Sequence, residues 1–194
     1  MPMFVAKSAG AEVNGETVNS IVVGMGAFKA KALEILSKNG IKDPKSGMWY
    51  SQQNWLNAFK EIATSLGPNT LYFIGLKIPE NANFPPQIDS IEKALGAIDM
   101  AFHMNHRING KVLFDPQTGT IHEGIGHYTF VKVSGNEAKM TCPNPYPCDF
   151  DRGIIEGMAK KFKPAGSLFV QVQHNDAAPC RKKGAESCEY KIKW

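Results

Sequence analysis

Residues 89–114, DSIEKALGAIDMAFHMNHRINGKVLF, contain the change of hydrophobic period that sets the fold class. Up to Phe102 the apolar side chains Ile91, Leu95, Ile98 and Phe102 recur at helical spacing on one face. Asp89, with Glu92 three residues later, has the form of a capping box with an acidic cap. Asn109-Gly110 then turns the chain, and Lys111 to Phe114 begins a stretch in which the period drops from about 3.6 residues to about 2.

Working back from this point, the chain is helical. Phe28, Ala32, Ile35 and Leu36 share one face, closed by Asn39-Gly40. Trp55, Phe59, Ile62 and Leu66 share another, stopped by Gly67-Pro68. Leu71 to Leu76 predicts a short helix ending before Pro79. Asn14-Gly15, between short alternating stretches, predicts a hairpin in residues 1–20 that packs on a domain spanning 21–194. Working forward, His127 to Val133 and Ala138 to Cys142 read as strands around a Ser134-Gly135-Asn136 turn. A helix follows Asp149, and Ser167 to His174 and Glu189 to Trp194 close as strands. The fold class is α+β: helices, then an antiparallel sheet with a helix against it, in a single domain.

The 194 residues carry a formal charge of +4 with ordinary globular composition, which excludes disorder and fibres. The longest apolar run, Ile21 to Phe28, is broken by glycines and is too short for a membrane span. With no secretory pattern at Met1 to Lys7, the expectation is a cytoplasmic protein. Lys160-Lys161-Phe162-Lys163 and Arg181-Lys182-Lys183 are too short to serve as nucleic-acid arms, so neither nucleic acid nor membrane is expected as a partner. Gly24-Met25-Gly26 lacks the third glycine of a nucleotide loop, and no G-x-S-x-G elbow occurs. An enzyme is therefore the weaker reading.

All four cysteines, Cys142, Cys148, Cys180 and Cys188, fall in the last third. In a reducing compartment this favours a structural zinc site over disulfides or inert buried thiols. Cys148 precedes a helix, whose dipole favours the thiolate. Cys148, the glycine-containing helix Arg152 to Gly157, and Cys180-x3-Gly184-x3-Cys188-x-Tyr190 resemble the 4-vinyl reductase domain family, with a similar middle part from Trp55 to Gly75. The resemblance implies a fold like that of the vesicle-tethering TRAPP subunits, a homodimer, zinc on Cys148, Cys180 and Cys188, and a small hydrophobic or aromatic ligand bound for a sensory purpose. Ala177 stands where sensory members often have a ligating Glu, so Cys142 is taken as the fourth ligand, with His174 as the alternative.

Asp99, His103 and His106 lie at i, i+4 and i+7 on the helix begun at Asp89, and His127 follows on the strand side. These histidines offer an alternative reading, a haem or metal-cofactor sensor, with a reductase-type enzyme as a further one. The expected ligand lining is Trp55, Phe59, Phe102, His103, His106 and His127. Output would pass through a separate signalling partner or a change of oligomer.

Overall fold

The computed structural model describes residues 2–194. Strand β1 (Ala11–Asn14) leads directly into α1 (Gly15–Gly24), followed by α2 (Lys29–Lys38), β2 (Trp49–Ser51), α3 (Gln52–Leu66), α4 (Pro68–Asn81) and α5 (Ile91–Met104). The second half holds β3 (His106–Ile108), β4 (Lys111–Val112), β5 (Phe114–Asp115), β6 (Thr120–Ile121), β7 (Thr129–Ser134), β8 (Glu137–Cys142), α6 (Cys148–Lys161), β9 (Gln171–His174) and β10 (Cys188–Lys193). This is the α+β domain expected from the change of period.

The strands form an antiparallel sheet in the order β2-β1-β3-β4, a second in the order β7-β8-β10-β9, and a small β5-β6 ribbon. In the second sheet Cys188 pairs with Cys142 and Tyr190 with both Met140 and His174. Alternate residues Ala138, Met140 and Cys142 are buried, as are Cys188, Tyr190 and Ile192, so one face of the sheet lies on the core. No helix among the described residues is long and apolar enough to cross a membrane.

Three local expectations are corrected. Asn14-Gly15 is no hairpin turn. Asn14 has φ −72° and its side chain accepts from the Thr17 N–H, capping α1, while β1 pairs with the distant β2 and β3. The boundary drawn between residues 20 and 21 therefore falls inside α1. The cap of α5 is Ser90, accepting from the Lys93 N–H, rather than Asp89. Helix α4 runs through Pro79 instead of stopping before it. Pro79 lies in the last turn, where a missing N–H costs one bond, and the Lys161 ammonium donates to the carbonyls of Pro79 and Ala82 at the frayed end.

The closest helix contact joins α4 and α6. A Cβ on Gly75 would meet the Phe150 carbonyl oxygen, and one on Gly153 the Tyr72 carbonyl oxygen. Two glycines facing each other let the backbones touch, which brings Cys148 and Phe150 at the start of α6 close to the centre of the molecule.

Candidate functional site

Helix α5 ends at the centre of the molecule and delivers its histidines to two different places. His106, just past the helix, is fully buried. Its Nδ1–H donates to the Phe102 carbonyl at 2.7 Å, which leaves Nε2 to accept the Tyr146 hydroxyl at 2.7 Å. Burial pushes its pKa down to about 4, so it is neutral. The imidazole lies at the wall of an apolar cavity of about 140 Å3 between α1, α4, α5 and α6. Phe102, Tyr128, Tyr146 and Phe150 supply most of its aromatic wall, with Phe102 4.6 Å from the His106 ring and Tyr146 stacked 5.5 Å from Phe150.

Of the six side chains expected to line a ligand pocket, Phe102 and His106 do so. Trp55 and Phe59 lie one layer behind. They are fully buried, and Phe59 packs on Phe150 and Tyr146 at 4.6 and 5.8 Å. Their helical spacing served the core. His103 and His127 face each other elsewhere, with ring centroids 5.1 Å apart. The Nδ1 of His103 lies 2.8 Å from the Asp99 carbonyl oxygen. His127 sits between Asp99 at 3.1 Å and Glu123 at 3.0 Å. Burial lowers its pKa, but the hydrogen bonds to the two carboxylates outweigh this and leave it raised. Tyr146, Tyr128 and Asn105 were not singled out in the sequence. Only the Cys-Pro-Asn-Pro-Tyr-Pro-Cys loop pointed near Tyr146, and its prolines drew attention to the cysteines.

The cysteines are free thiols. Cys148 Sγ lies 3.1 Å from Cys188 Sγ and 3.8 Å from Cys180 Sγ, and Cys188 lies 3.6 Å from Cys180. One donor atom each from Cys148, His174, Cys180 and Cys188 falls within 4.8 Å of the others. Cys142 is outside this group, and the alternative, His174, takes the fourth place. Although Cys142 opposes Cys188 in the ladder, its thiol sits in the fully buried surroundings of Asp151 and Arg181, where desolvation raises its pKa well above normal. Three sulfurs and an imidazole form a donor set suited to a soft divalent ion, with every tetrahedral position filled by protein. The Arg181 backbone N–H and Nε donate to Cys188 Sγ at 3.4 Å, and with the Cys148 thiol beside it these contacts pull the Cys188 thiol below its ordinary range.

A buried polar chain connects the cavity wall to the thiols. The Tyr128 hydroxyl donates to Asp151 at 2.6 Å, Asp151 pairs with Arg181, and Arg181 reaches Cys188 as well as Asn144. Burial raises Asp151 to about 6 against the pull of Arg181 and Tyr128. Of the basic run Arg181-Lys182-Lys183, Arg181 folds inward and is buried, while Lys182 and Lys183 are exposed.

No protein-family model matches the chain, and none of the curated proteins does. Solved structures do. The chain is similar to an H-NOX protein from S. oneidensis in the Fe(II)NO ligation state, at 16% identity and TM-score 0.65 over 93% of this chain and 98% of that one. It is also similar to a T. tengcongensis H-NOX variant, at 14% identity and TM-score 0.62 over 93% of this chain and 96% of that one. A third similar structure, from work on heme redox potential and porphyrin distortion, matches at 14% identity and TM-score 0.59 over 93% of this chain and 99% of that one. These matches overturn two expectations. The likeness to the 4-vinyl reductase family and the TRAPP subunits is replaced by likeness to H-NOX structures, and zinc as the cofactor is set aside, since the matched proteins are described with Fe(II) and heme. The fold of this chain is that of the H-NOX domains.

Proposed function

We propose that this chain is a small-molecule sensor domain whose ligand sits in the apolar cavity against His106 and Tyr146. The observation that supports this most is the cavity itself. It has about 140 Å3 of space and an almost wholly apolar wall, with the Tyr146 hydroxyl meeting His106 Nε2 and with Thr17 and Asn105 also on its lining. Apolar cavities of roughly 150 Å3 stay dry and bind benzene or xenon. A single aromatic ring, or something smaller, is the class of ligand that fits.

Haem, with which the similar structures are described, must be weighed against these residues. The neutral tautomer of His106, with Nδ1–H on a carbonyl and Nε2 toward the cavity, suits an axial ligand. The rest does not. Ligand pockets for molecules much smaller than a macrocycle run to roughly 300–1,000 Å3, against about 140 Å3 here. Among the described residues no Arg or Lys lines the cavity to meet carboxylate side arms, and Nε2 already accepts from Tyr146. The residues in this arrangement do not fit haem. The thiol cluster lines a separate, larger and more polar cavity of about 580 Å3 together with Arg152, Lys182 and Lys183, and takes a structural part in this reading.

The test is thermal unfolding with benzene, toluene and phenol. A ligand at about 100 times its Kd adds about 2.7 kcal/mol, a rise of several degrees for a domain of this size. Ala101→Phe, which projects a ring into the cavity, should abolish the rise while leaving the unliganded melting temperature close to that of the wild type. A wild-type protein indifferent to all three compounds, or a rise that survives Ala101→Phe, sinks the reading.

A further inference from the structure

Beyond the cavity and the thiol cluster, one group of metal-ligating side chains has no part in either: Asp99, His103 and His127, with Glu123 beside them. One carboxylate oxygen of Asp99 and one ring nitrogen of each histidine lie within 4.8 Å of one another. We infer that Asp99, His103 and His127 form a metal site, for a first-row divalent transition ion that favours imidazole.

Three features support this. The first is how each ligand is oriented. His103 gives its Nδ1–H to the Asp99 carbonyl at 2.8 Å, so Nε2 is the bare nitrogen. His127 gives Nε2–H to Glu123 at 3.0 Å, which leaves Nδ1 on the Asp99 side at 3.1 Å. Asp99 is itself fixed by the Tyr128 N–H at 2.8 Å. A metal-binding imidazole normally has its far nitrogen tied to a carbonyl or carboxylate in this way, which sets both tautomer and ring direction. The second is an unmet need. His103 is fully buried and its Nε2 has no hydrogen-bond partner among the described residues, a cost a native core avoids unless something occupies the position. The third is the chemistry of the set: two imidazoles and one carboxylate leave coordination positions open, and the half-exposed His127 puts them on the solvent side. On binding, the ion replaces the Nδ1 proton of His127, and that proton goes to solvent.

Cobalt(II) separates this site from the thiols. The full chain is stripped with chelator under reducing conditions and titrated with Co(II) while its absorbance is followed. Binding at the thiols gives an intense sulfur-to-cobalt band in the near ultraviolet; binding at nitrogen and oxygen gives only weak visible bands. The expected result is an equivalent of Co(II) that produces visible bands without the sulfur band. His127→Ala, at a half-exposed position the fold tolerates, should weaken that equivalent about 100-fold and leave the sulfur band unchanged. Glu123→Gln, fully at the surface, should weaken it about 10-fold. The inference fails if no equivalent of this kind is seen in the wild-type protein, or if it survives both substitutions. The readout does not depend on any ligand in the cavity, so it stands or falls separately from the proposed function.

Discussion

His106 is neutral because it is buried and because both ring nitrogens are already committed, to the Phe102 carbonyl and the Tyr146 hydroxyl. Its pKa, lowered to about 4, makes it an acid-sensitive element. In the unfolded chain the imidazole takes up a proton near its ordinary value of 6.5, which the folded protein refuses until about 4. The contribution is therefore fully present above pH 6.5 and is lost as pH falls towards 4, by about 3 kcal/mol in all. Asp151 acts in the opposite direction. Its folded pKa of about 6 lies above the ordinary carboxyl value of 3.8, so its contribution is present at low pH and is lost as pH rises through 6. Urea unfolding at pH 6.5 and pH 4.5 should show the His106→Gln variant losing less stability on acidification than the wild type. An equal loss in both would mean that the imidazole is not buried neutral.

The same scale governs the ion pair behind the cavity. Asp151 and Arg181 are both fully buried, where a charge without its partner is far more costly than a pair is stabilising. Arg181→Met should cost about 3–5 kcal/mol, because Asp151 is left with only Tyr128. The double variant Arg181→Met with Asp151→Leu should recover much of that. Chemical denaturation of the two proteins checks the difference, and a double variant as unstable as the single one would place the value of Arg181 in its bonds to Cys188 and Asn144 instead.

Among the elements, the α4–α6 crossing is the most demanding. Gly153 cannot take a methyl group without pushing against the Tyr72 carbonyl, a backbone atom that has no rotamer to yield. Gly153→Ala should destabilise by about 1–3 kcal/mol. Gly96, in the middle of α5, has nothing within 4 Å of where its Cβ would be, so Gly96→Ala should stabilise by up to about 1 kcal/mol. Opposite signs for the same substitution in two helices are the signature of packing over propensity, and unfolding midpoints read it directly.

How much the sequence revealed follows from the same distinction. Helices α2, α3, α5 and α6 and the long strands were legible because a single buried face imposes its period on the residues. Asn14 was misread because Asn-Gly serves two purposes, a tight turn or a cap followed by a residue with no room for a side chain. Here a Cβ on Gly15 would strike the Lys45 carbonyl carbon and oxygen, a contact 30 residues away that no local pattern reveals. The candidate sites divide in the same way. Cys148, Cys180 and Cys188, which the structure brings together, could be grouped from the sequence because cysteines are few and their clustering stands out. The division of the histidines was not legible, because α5 ends at Met104 and His106 leaves the helical face that spacing alone would give it.

At the scale of the whole molecule, the aromatic wall of the cavity is also the seam between its parts. Phe102 comes from α5, Tyr146 from the loop after β8 and Phe150 from α6, and Phe59 of α3 packs behind the last two. Admitting a macrocycle would mean parting this seam, exposing rings that each bury roughly 150–250 Å2, and breaking the His106–Tyr146 hydrogen bond. A single aromatic ring asks for none of that. Titration of the purified chain with haem should therefore leave the spectrum of the free cofactor unchanged. A Soret band that saturates at one haem per chain, and that His106→Ala removes, would show that the seam opens at small cost. The small cavity would then be the resting form of a haem pocket. If instead the band is absent from the wild-type protein and appears in a Tyr146→Ala, Phe150→Ala variant, the aromatic seam is what keeps this fold from admitting the cofactor.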